Sequence, residues 1–175
     1  PPTWPYAVDG GVLAPDWDIH EMGEFRFEID LMVREPKEAI SAFLHAGAGK
    51  LVVHLESTSD VTGVINELEE RYGRDKEFSP ELLSLALSVS LDTDVALLEP
   101  HLARIDYVQF MGIARIGQQG IPFDERVLTK IASFKKMHPD IPVQVDGGVS
   151  LETAPKLLAV GAERLVVGSA LWKSE

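Results

Sequence analysis

Short apolar runs alternate along this chain with longer segments in which apolar residues recur at helical spacing. Such runs are typical of strands buried on both faces, and the longer segments are typical of amphipathic helices. The pattern predicts strands at Phe25–Val33, Lys50–Glu56, Leu82–Val89, Asp106–Ile113, Pro142–Asp146 and Arg164–Gly168. It predicts helices at Glu35–Ala46, Ser59–Tyr72, Asp94–Ala103, Asp124–Met137 and Ser150–Val160. Because helices separate the strands, we expect neighbouring strands to be parallel.

This alternation fits either a closed (β/α)8 TIM barrel or an open doubly wound sheet. A short internal repeat favours the barrel, because AGAGKLVVHLES at 46–57 is similar to VGAERLVVGSAL at 160–171. We therefore predict an α/β fold in a single domain spanning residues 1–175. A barrel closes with eight strands, whereas the pattern shows six. Either units at both ends of the barrel are missing, which is the favoured interpretation, or a homo-oligomer covers the open edges.

The composition excludes several classes of function. The chain has 28 acidic and 16 basic residues and a formal net charge of -12, which disfavours binding to nucleic acid or to anionic membrane surfaces. It contains no cysteine, so disulfides, thiolate catalysis and cysteine-based zinc sites are excluded. No signal-peptide pattern opens the sequence, and no stretch reaches the roughly 18 apolar residues of a membrane span. We expect a cytoplasmic protein.

The segment VQVDGGVSLETAPKL, residues 143–157, carries the clearest candidate chemistry. A buried strand ends at Asp146, and Gly147 and Gly148 allow a tight turn before Ser150 caps a helix. The carboxyl ends of barrel strands face the active site, so Asp146 is a candidate acid/base group. Asp-Gly-Gly is also common in ordinary turns, and a purely structural role is the alternative.

The turn after the next strand has the same character, since Gly168 and Ser169 follow RLVV. Glycine-bearing turns at the ends of two successive barrel strands can direct their backbone N–H groups at one phosphate. The sequence therefore predicts a phosphate site at Gly147, Gly148, Gly168 and Ser169. Two ordinary turns between strand and helix are the alternative.

A loop within MGIARIGQQGIPF, residues 111–123, contains Gly117 and is expected at the same end of the barrel. It is suited to closing over a substrate, with a plain surface loop as the competing interpretation. Met32 and Met111 lie at strand ends. Taken as isolated residues, they are expected in the core rather than in contact with a ligand.

Several unlinked motifs are similar to those of the ribulose-phosphate 3-epimerase family, over about residues 25–171. They are IDLMVREP, VVHLES, LALSVSLDTDV, DYVQFMGI, GQQGIPF, VQVDGGVSLETA and VVGSAL, in the family's order. PPTWPY at the start resembles the loop after the family's second strand, which places the first two strands before Pro1. The resemblance implies a TIM barrel that binds a phosphorylated ketopentose.

Family members move a proton across the carbon beside the ketone, using two aspartates and a divalent metal that stabilises the enediolate. The resemblance assigns acid/base and metal-binding roles to Asp146 and places the other aspartate before Pro1. Asp30 stands where the family has a metal-binding histidine. It is expected either to bind the metal or to pair with a charge on a neighbouring strand. Zinc, manganese, magnesium and iron are all candidates, and a carboxylate at this position favours magnesium or manganese over zinc.

The resemblance also assigns residues to the substrate. The family's phosphate-binding positions are Gly117, Gly147, Gly148, Gly168 and Ser169, its pocket-lining methionines are Met32 and Met111, and a further matching position is His54. We expect His54 to be a hydrogen-bonded core or pocket-wall residue rather than a metal ligand.

Three functions follow from these features. The first is epimerisation of a pentulose 5-phosphate, for which this chain alone, lacking the second aspartate, is expected to be inactive. The second is a noncatalytic or divergent barrel that binds a sugar phosphate, and the third is a scaffold. Decarboxylases and hexulose-phosphate synthases of the same group carry an Asp-x-Lys-x-x-Asp run, which is absent here.

Overall fold

The computed structural model describes residues 27–72, 83–118 and 120–172. The chain divides into two compact units, one up to Ala86 and one from Leu87 onwards, and each is described by itself. Whether the two units form the predicted single domain depends on how they are arranged, and the single domain stays a prediction. PPTWPY and the first two residues of the first predicted strand lie outside the described ranges. No helix in those ranges has the length and apolar character needed to cross a membrane.

The first unit alternates strands and helices, as predicted. Its elements are β1 (Glu28–Leu31), α1 (Lys37–His45), β2 (Lys50–His54), a 3₁₀ turn (Leu55–Ser57), α2 (Val61–Tyr72) and the start of β3 (Ser84–Val89). The strand order is β1-β2-β3, and β1 pairs in parallel with β2, Asp30 lying beside Val52. The central segment of β2, residues 51–53, is completely buried, as expected of a strand covered on both faces.

The second unit continues the same alternation. Its elements are the rest of β3, a 3₁₀ helix (Val95–Arg104), β4 (Tyr107–Met111), α3 (Arg126–Met137), β5 (Val143–Asp146), α4 (Ala154–Ala159), β6 (Arg164–Val166) and α5 (Ser169–Trp172). Within it the strand order is β3-β4-β5-β6. β5 pairs in parallel with β4 on one side and with β6 on the other. The carboxyl ends of these three strands therefore lie at one edge of the sheet.

The two faces of β4 have different neighbours. Phe110 packs edge-to-face on Phe134 of α3, with ring centroids 5.4 Å apart, so Val108 and Phe110 face the helix layer. Side chains alternate along a strand, and Gln109 and Met111 consequently face the opposite side of the sheet. The same alternation places Gln144 and Asp146 on that side of β5, because Gln109 pairs with Gln144 and Met111 with Asp146.

The predicted helix at Asp94–Ala103 is a 3₁₀ helix rather than an α-helix. Asp94 caps it, since its Oδ1 accepts a hydrogen bond of 2.9 Å from the N–H of Ala96. Pro100 lies inside the segment, where it has no N–H to donate and disfavours α geometry at Glu99. The tighter 3₁₀ form is compatible with these losses in a short segment.

Several element ends also differ from the sequence prediction. β2 ends at His54 rather than Glu56, where the hydroxyl of Ser57 donates to the carbonyl of His54 over 2.7 Å and stabilises the 3₁₀ turn. α4 begins at Ala154 rather than at Ser150, and in the turn before it the side chains of Ser150 and Thr153 accept hydrogen bonds from each other's backbone N–H groups. The short helix α5 was not predicted, since four residues are too few to show helical periodicity.

Candidate active site

In the first unit, Asp30 and His54 form a hydrogen-bonded pair. They lie on the neighbouring strands β1 and β2, and Nε2 of His54 is 2.8 Å from Oδ1 of Asp30. The His54 side chain is 2% exposed and the Asp30 side chain 24% exposed. The carboxylate is thus partly open to solvent, whereas the imidazole that holds it is enclosed. Asp30 therefore pairs with a residue on a neighbouring strand. Pairing of this kind was the alternative to metal binding in the sequence analysis.

A second carboxylate, that of Glu56, lies on the other side of the His54 ring. Oε2 of Glu56 lies 3.8 Å from Nδ1 of His54, too far for a hydrogen bond. This buried Nδ1 has no hydrogen-bond partner within the part of the chain that the structure describes. The imidazole is thus flanked by two carboxylates, one hydrogen-bonded to Nε2 and one 3.8 Å from Nδ1.

These groups do not by themselves assemble a metal site. Among residues 27–72, 83–118 and 120–172, no three His, Asp or Glu side chains are grouped closely enough to hold a metal ion. A zinc ion in a protein usually has three or more protein ligands, so the described residues do not complete a zinc site, and the predicted metal centre stays a prediction. Asp30 accepts a hydrogen bond from His54.

Met32 follows β1 and is half-buried. Its N–H donates to the carbonyl of Asp30 over 3.2 Å. Three residues later Glu35 has a φ of 50°, which is unfavourable for a residue with a side chain. Its N–H donates to the carbonyl of Ser57 over 3.1 Å. The chain after β1 is thus held to the chain after β2 in a strained conformation, a feature often found at functional sites.

In the second unit, Asp146 ends β5 beside Met111, which ends β4. Asp146 is partly exposed and Met111 is buried. The N–H of Gly112 donates to the carbonyl of Asp146 over 2.7 Å, and the carbonyl of Gly112 accepts from the N–H of Asp124 over 2.9 Å. A Cβ at Gly112 would lie 2.3 Å from the carbonyl oxygen of Gly147. Only glycine permits this close approach, which fixes the backbone beneath Asp146.

Gly147 and Gly148 turn the chain sharply after Asp146. Their φ angles are 100° and 69°, a left-handed conformation that favours glycine. A Cβ on Gly147 would meet Ile113 at 2.7 Å, and one on Gly148 would meet Phe123 at 2.8 Å. The turn therefore packs against both ends of the loop that contains Gly117.

That loop is closed at its base by an isolated antiparallel bridge between Ile113 and Phe123. Gly117 near its tip is exposed and has a φ of 76°, and Gln119 lies outside the described residues. Beyond the bridge, hydrogen bonds from Arg126 lower the pKa of Asp124. The base of the loop is thus well anchored, and its tip is presented to solvent.

The last predicted phosphate turn follows β6. Asp146 pairs with Val166, so the turns after β5 and β6 leave neighbouring strands at the same edge. Gly168 is exposed, with nothing within 4 Å of the place a Cβ would occupy. Ser169 begins α5, and the carbonyl of Gly168 accepts from the N–H of Leu171 over 3.0 Å. The structure therefore brings Asp146 and the two glycine turns to one edge of the second unit.

Sequence reasoning missed a layer of buried polar side chains beneath this edge. Ser88, Gln109 and Gln144 lie on β3, β4 and β5 and are almost completely buried. A signal for them was present, because a glutamine interrupts the apolar runs DYVQFM and PVQVD. A polar residue in a strand buried on both faces requires a hydrogen-bond partner, and that requirement points to partners on neighbouring strands.

Comparison with known proteins identifies similar chains. A model of the ribulose-phosphate 3 epimerase family matches residues 16–172. The ribulose-phosphate 3-epimerase of Bacillus subtilis is 30% identical over 159 residues, covering 88% of this chain and 68% of the relative. The ribulose-phosphate 3-epimerase of Schizosaccharomyces pombe is 30% identical over 149 residues, covering 85% of this chain and 60% of the relative. The chain thus spans roughly three fifths to two thirds of these curated relatives.

Among solved structures, the fold is similar to that of KGPDC from Streptococcus mutans in complex with D-R5P. The TM-score is 0.61 at 14% identity, with 89% of this chain and 68% of the other covered. Identity at this level concerns the fold alone. It confirms the predicted fold class, an α/β TIM barrel fold, of which the described residues contain six strands.

Proposed function

The chain belongs to the ribulose-phosphate 3-epimerase family, and on that basis we propose that it forms part of an enzyme that interconverts ribulose 5-phosphate and xylulose 5-phosphate. One observation carries the proposal. Asp146 and two glycine turns lie at the same edge of the second unit, because β5 and β6 are neighbours with Asp146 beside Val166. This edge offers a carboxylate for proton transfer next to backbone N–H groups suited to an anion.

Asp146 is the acid/base group in this proposal. Its carboxylate takes a proton from the carbon beside the ketone on one face of the sugar, or returns one there. Inversion at this carbon requires a second acid/base group on the opposite face of the sugar. Gly112 and the left-handed Gly147 and Gly148 support this assignment, since they fix the backbone on which Asp146 is carried.

The phosphate is proposed to bind at the turns after β5 and β6. Successive N–H groups in left-handed glycine conformations form concave anion sites. Gly168 supports this role through its open surroundings, since a ligand atom can approach its backbone closely. The substrate-binding roles that the resemblance assigns to Met32 and His54 in the first unit, and to Met111 and Gly117 in the second, stay predictions.

A divalent metal remains part of the prediction, but the described residues do not complete a site for it. No step of the mechanism proposed here runs through a metal. Equilibrium dialysis against zinc, manganese, magnesium and iron tests this point, with Asp30→Ala as the informative variant. Metal bound equally by wild type and Asp30→Ala would remove Asp30 from any metal centre.

The proposed function is tested by incubating ribulose 5-phosphate with the protein in D2O. NMR then measures the exchange of the C3 hydrogen for deuterium and the inversion at C3. The assay uses the full-length gene product, since the reaction requires a second acid/base group besides Asp146. Asp146→Asn is expected to lower the rate by roughly 10²- to 10⁴-fold, the usual contribution of a general acid/base. Asp140→Asn, at an exposed position of the same unit, is the matched control. Equal activity in Asp146→Asn and wild type would exclude Asp146 from the mechanism.

A second candidate function is a barrel that binds a sugar phosphate without epimerising it. Asp30 favours this alternative, because it replaces the family's metal-binding histidine and accepts a hydrogen bond from His54. Binding of ribulose 5-phosphate without any exchange at C3 in D2O supports this alternative. A scaffold is expected to show neither binding nor exchange.

The setting of the protein is also part of the proposal. A cytoplasmic location and assembly into a homo-oligomer are proposed from the sequence. Light scattering coupled to size-exclusion chromatography tests the assembly, since a single chain has a mass of 19.2 kDa.

A further inference from the structure

Three buried polar side chains stand side by side on successive strands of the second unit. Ser88 on β3, Gln109 on β4 and Gln144 on β5 are 0%, 1% and 2% exposed. Nε2 of Gln144 donates to Oε1 of Gln109 over 2.8 Å. Nε2 of Gln109 donates to Oγ of Ser88 over 3.5 Å. We call these three residues the amide ladder.

The amide ladder lies directly below the candidate catalytic edge. Gln109 and Gln144 are paired across β4 and β5, and two residues further along the same strands Met111 and Asp146 are paired. Residues two apart on a strand share a face. Met111 and Asp146 therefore form the layer immediately above the amide ladder, on the side of the sheet opposite to α3.

The amide ladder also reaches this upper layer. Nε2 of Gln109 lies 3.6 Å from Sδ of Met111 and can donate a hydrogen bond to it. Methionine is flexible, with three rotatable bonds and a weakly accepting sulfur. An N–H group held against this sulfur restricts the side chain to one arrangement.

Gln144 determines which end of the Gln109 amide faces the sulfur. Because Nε2 of Gln144 donates to Oε1 of Gln109, the NH2 group of Gln109 is directed towards Ser88 and Met111. A reversed amide would set two NH2 groups against each other and a carbonyl oxygen against Sδ, which is unfavourable on both sides. The orientation is thus transmitted across the strands, from Gln144 to Gln109 to Met111.

We propose that Gln109 is a positioning residue, which the amide ladder orients so that it holds the thioether of Met111 in one place beside Asp146. Met111 then forms a fixed, buried support beside Asp146 at the end of β4. The effect on substrate rests on the proposed function, whereas the ordering of Met111 does not. Nothing in this proposal requires Gln109 to touch the substrate.

The test uses ¹³C-methyl-labelled methionine, with Met111→Leu assigning the resonance of interest. The double variant Gln109→Leu/Gln144→Leu removes both amides together, so neither amide is left facing an unpaired amide, while the buried Ser88 hydroxyl loses the Gln109 donor. We expect it to fold with a somewhat lower melting temperature than wild type, while the Met111 methyl resonance shifts and loses order. The methyl group of Met137, exposed on α3, is the internal control and is expected not to change.

An unchanged Met111 methyl group in the folded double variant would overturn the proposal. If that variant does not fold, the nearly isosteric Gln109→Met gives the same test, because it removes the donor to Sδ and conserves volume. Ser88→Ala is the matched control, since it retains both amides and is expected to preserve the order of Met111.

Substrate binding separates this inference from the proposed function. Titration with ribulose 5-phosphate is expected to give a several-fold weaker Kd in the double variant than in wild type. Wild type that binds no ribulose 5-phosphate contradicts the proposed function but leaves the Met111 measurement valid. Equal Kd values in the two proteins would contradict the positioning role towards substrate.

Discussion

Removing the carboxylate from Asp30 tests the pair that it forms with His54. In Asp30→Ala the hydrogen bond of 2.8 Å to Nε2 is lost, and the partner that it leaves is His54, which is 1% exposed in the wild-type structure. In Asp30→Asn a side-chain oxygen remains to accept that bond. The two variants thus differ chiefly in whether the buried imidazole has a partner.

The expected cost follows from the burial of His54. Its Nδ1 has no hydrogen-bond partner among the described residues. In Asp30→Ala, Nε2 also loses its partner, so neither ring nitrogen has one among these residues. A buried polar group that loses its partner costs about 1–3 kcal/mol. With a urea dependence of about 1–3 kcal/mol per molar, the unfolding midpoint is expected to fall by roughly 1 M. Asp30→Asn is expected to lose less than half of that.

Urea unfolding followed by circular dichroism measures these differences. A double-mutant cycle with His54→Leu isolates the pair, and a coupling energy of about 1–2 kcal/mol is expected. Glu56→Ala is the control, because the Glu56 carboxylate lies 3.8 Å from Nδ1 and is 35% exposed, and such contacts contribute about 0–1 kcal/mol. Equal midpoints for Asp30→Ala and Asp30→Asn, or a coupling energy near zero, would refute this account.

Three further predictions concern other parts of the chain. Gly148→Ala is expected to destabilise the fold more than Gly120→Ala, since both positions have positive φ but only Gly148 also lacks room for a Cβ; thermal unfolding of the two variants measures the difference. Burial, and then a neighbouring arginine, lower the pKa of His101 below 6.5. The folded state thus binds fewer protons than the unfolded state, so stability is expected to fall as the pH drops below about 6.5, and less so in His101→Gln; urea midpoints between pH 5 and pH 8 check this. Lys130 donates to three backbone carbonyls in the loop after β3, so Lys130→Met is expected to accelerate amide hydrogen exchange in that loop, whereas Lys136→Met, at an exposed position of the same helix, is not.

The order and type of the elements could be predicted because each strand and helix carries its own hydrophobic period. The buried segment 51–53 of β2 and the apolar face of α3 are readable from sequence for this reason. The ends of elements were less predictable, since they depend on local hydrogen bonds. The contact between Ser57 and the carbonyl of His54, for example, ends β2 two residues early.

The candidate site could be predicted in part. Asp146, Gly147 and Gly148 form a continuous motif, so the sequence locates them at one strand end. The partner of Asp30 was predictable only as a charge on a neighbouring strand, because parallel register decides that it is His54. The amide ladder depends on register in the same way, since Gln109 and Gln144 are 35 residues apart in sequence.

The absence of a side chain at Gly112 has a consequence for how this chain can evolve. A single methyl group there would collide with the carbonyl oxygen of Gly147 at 2.3 Å. Even the smallest substitution, to alanine, is therefore expected to be unfavourable at this position. Laboratory libraries that seek new sugar specificity should leave position 112 constant and diversify the exposed loop around Gly117. Homologous chains in which another residue occupies this position are expected to have rebuilt the turn after β5 as well.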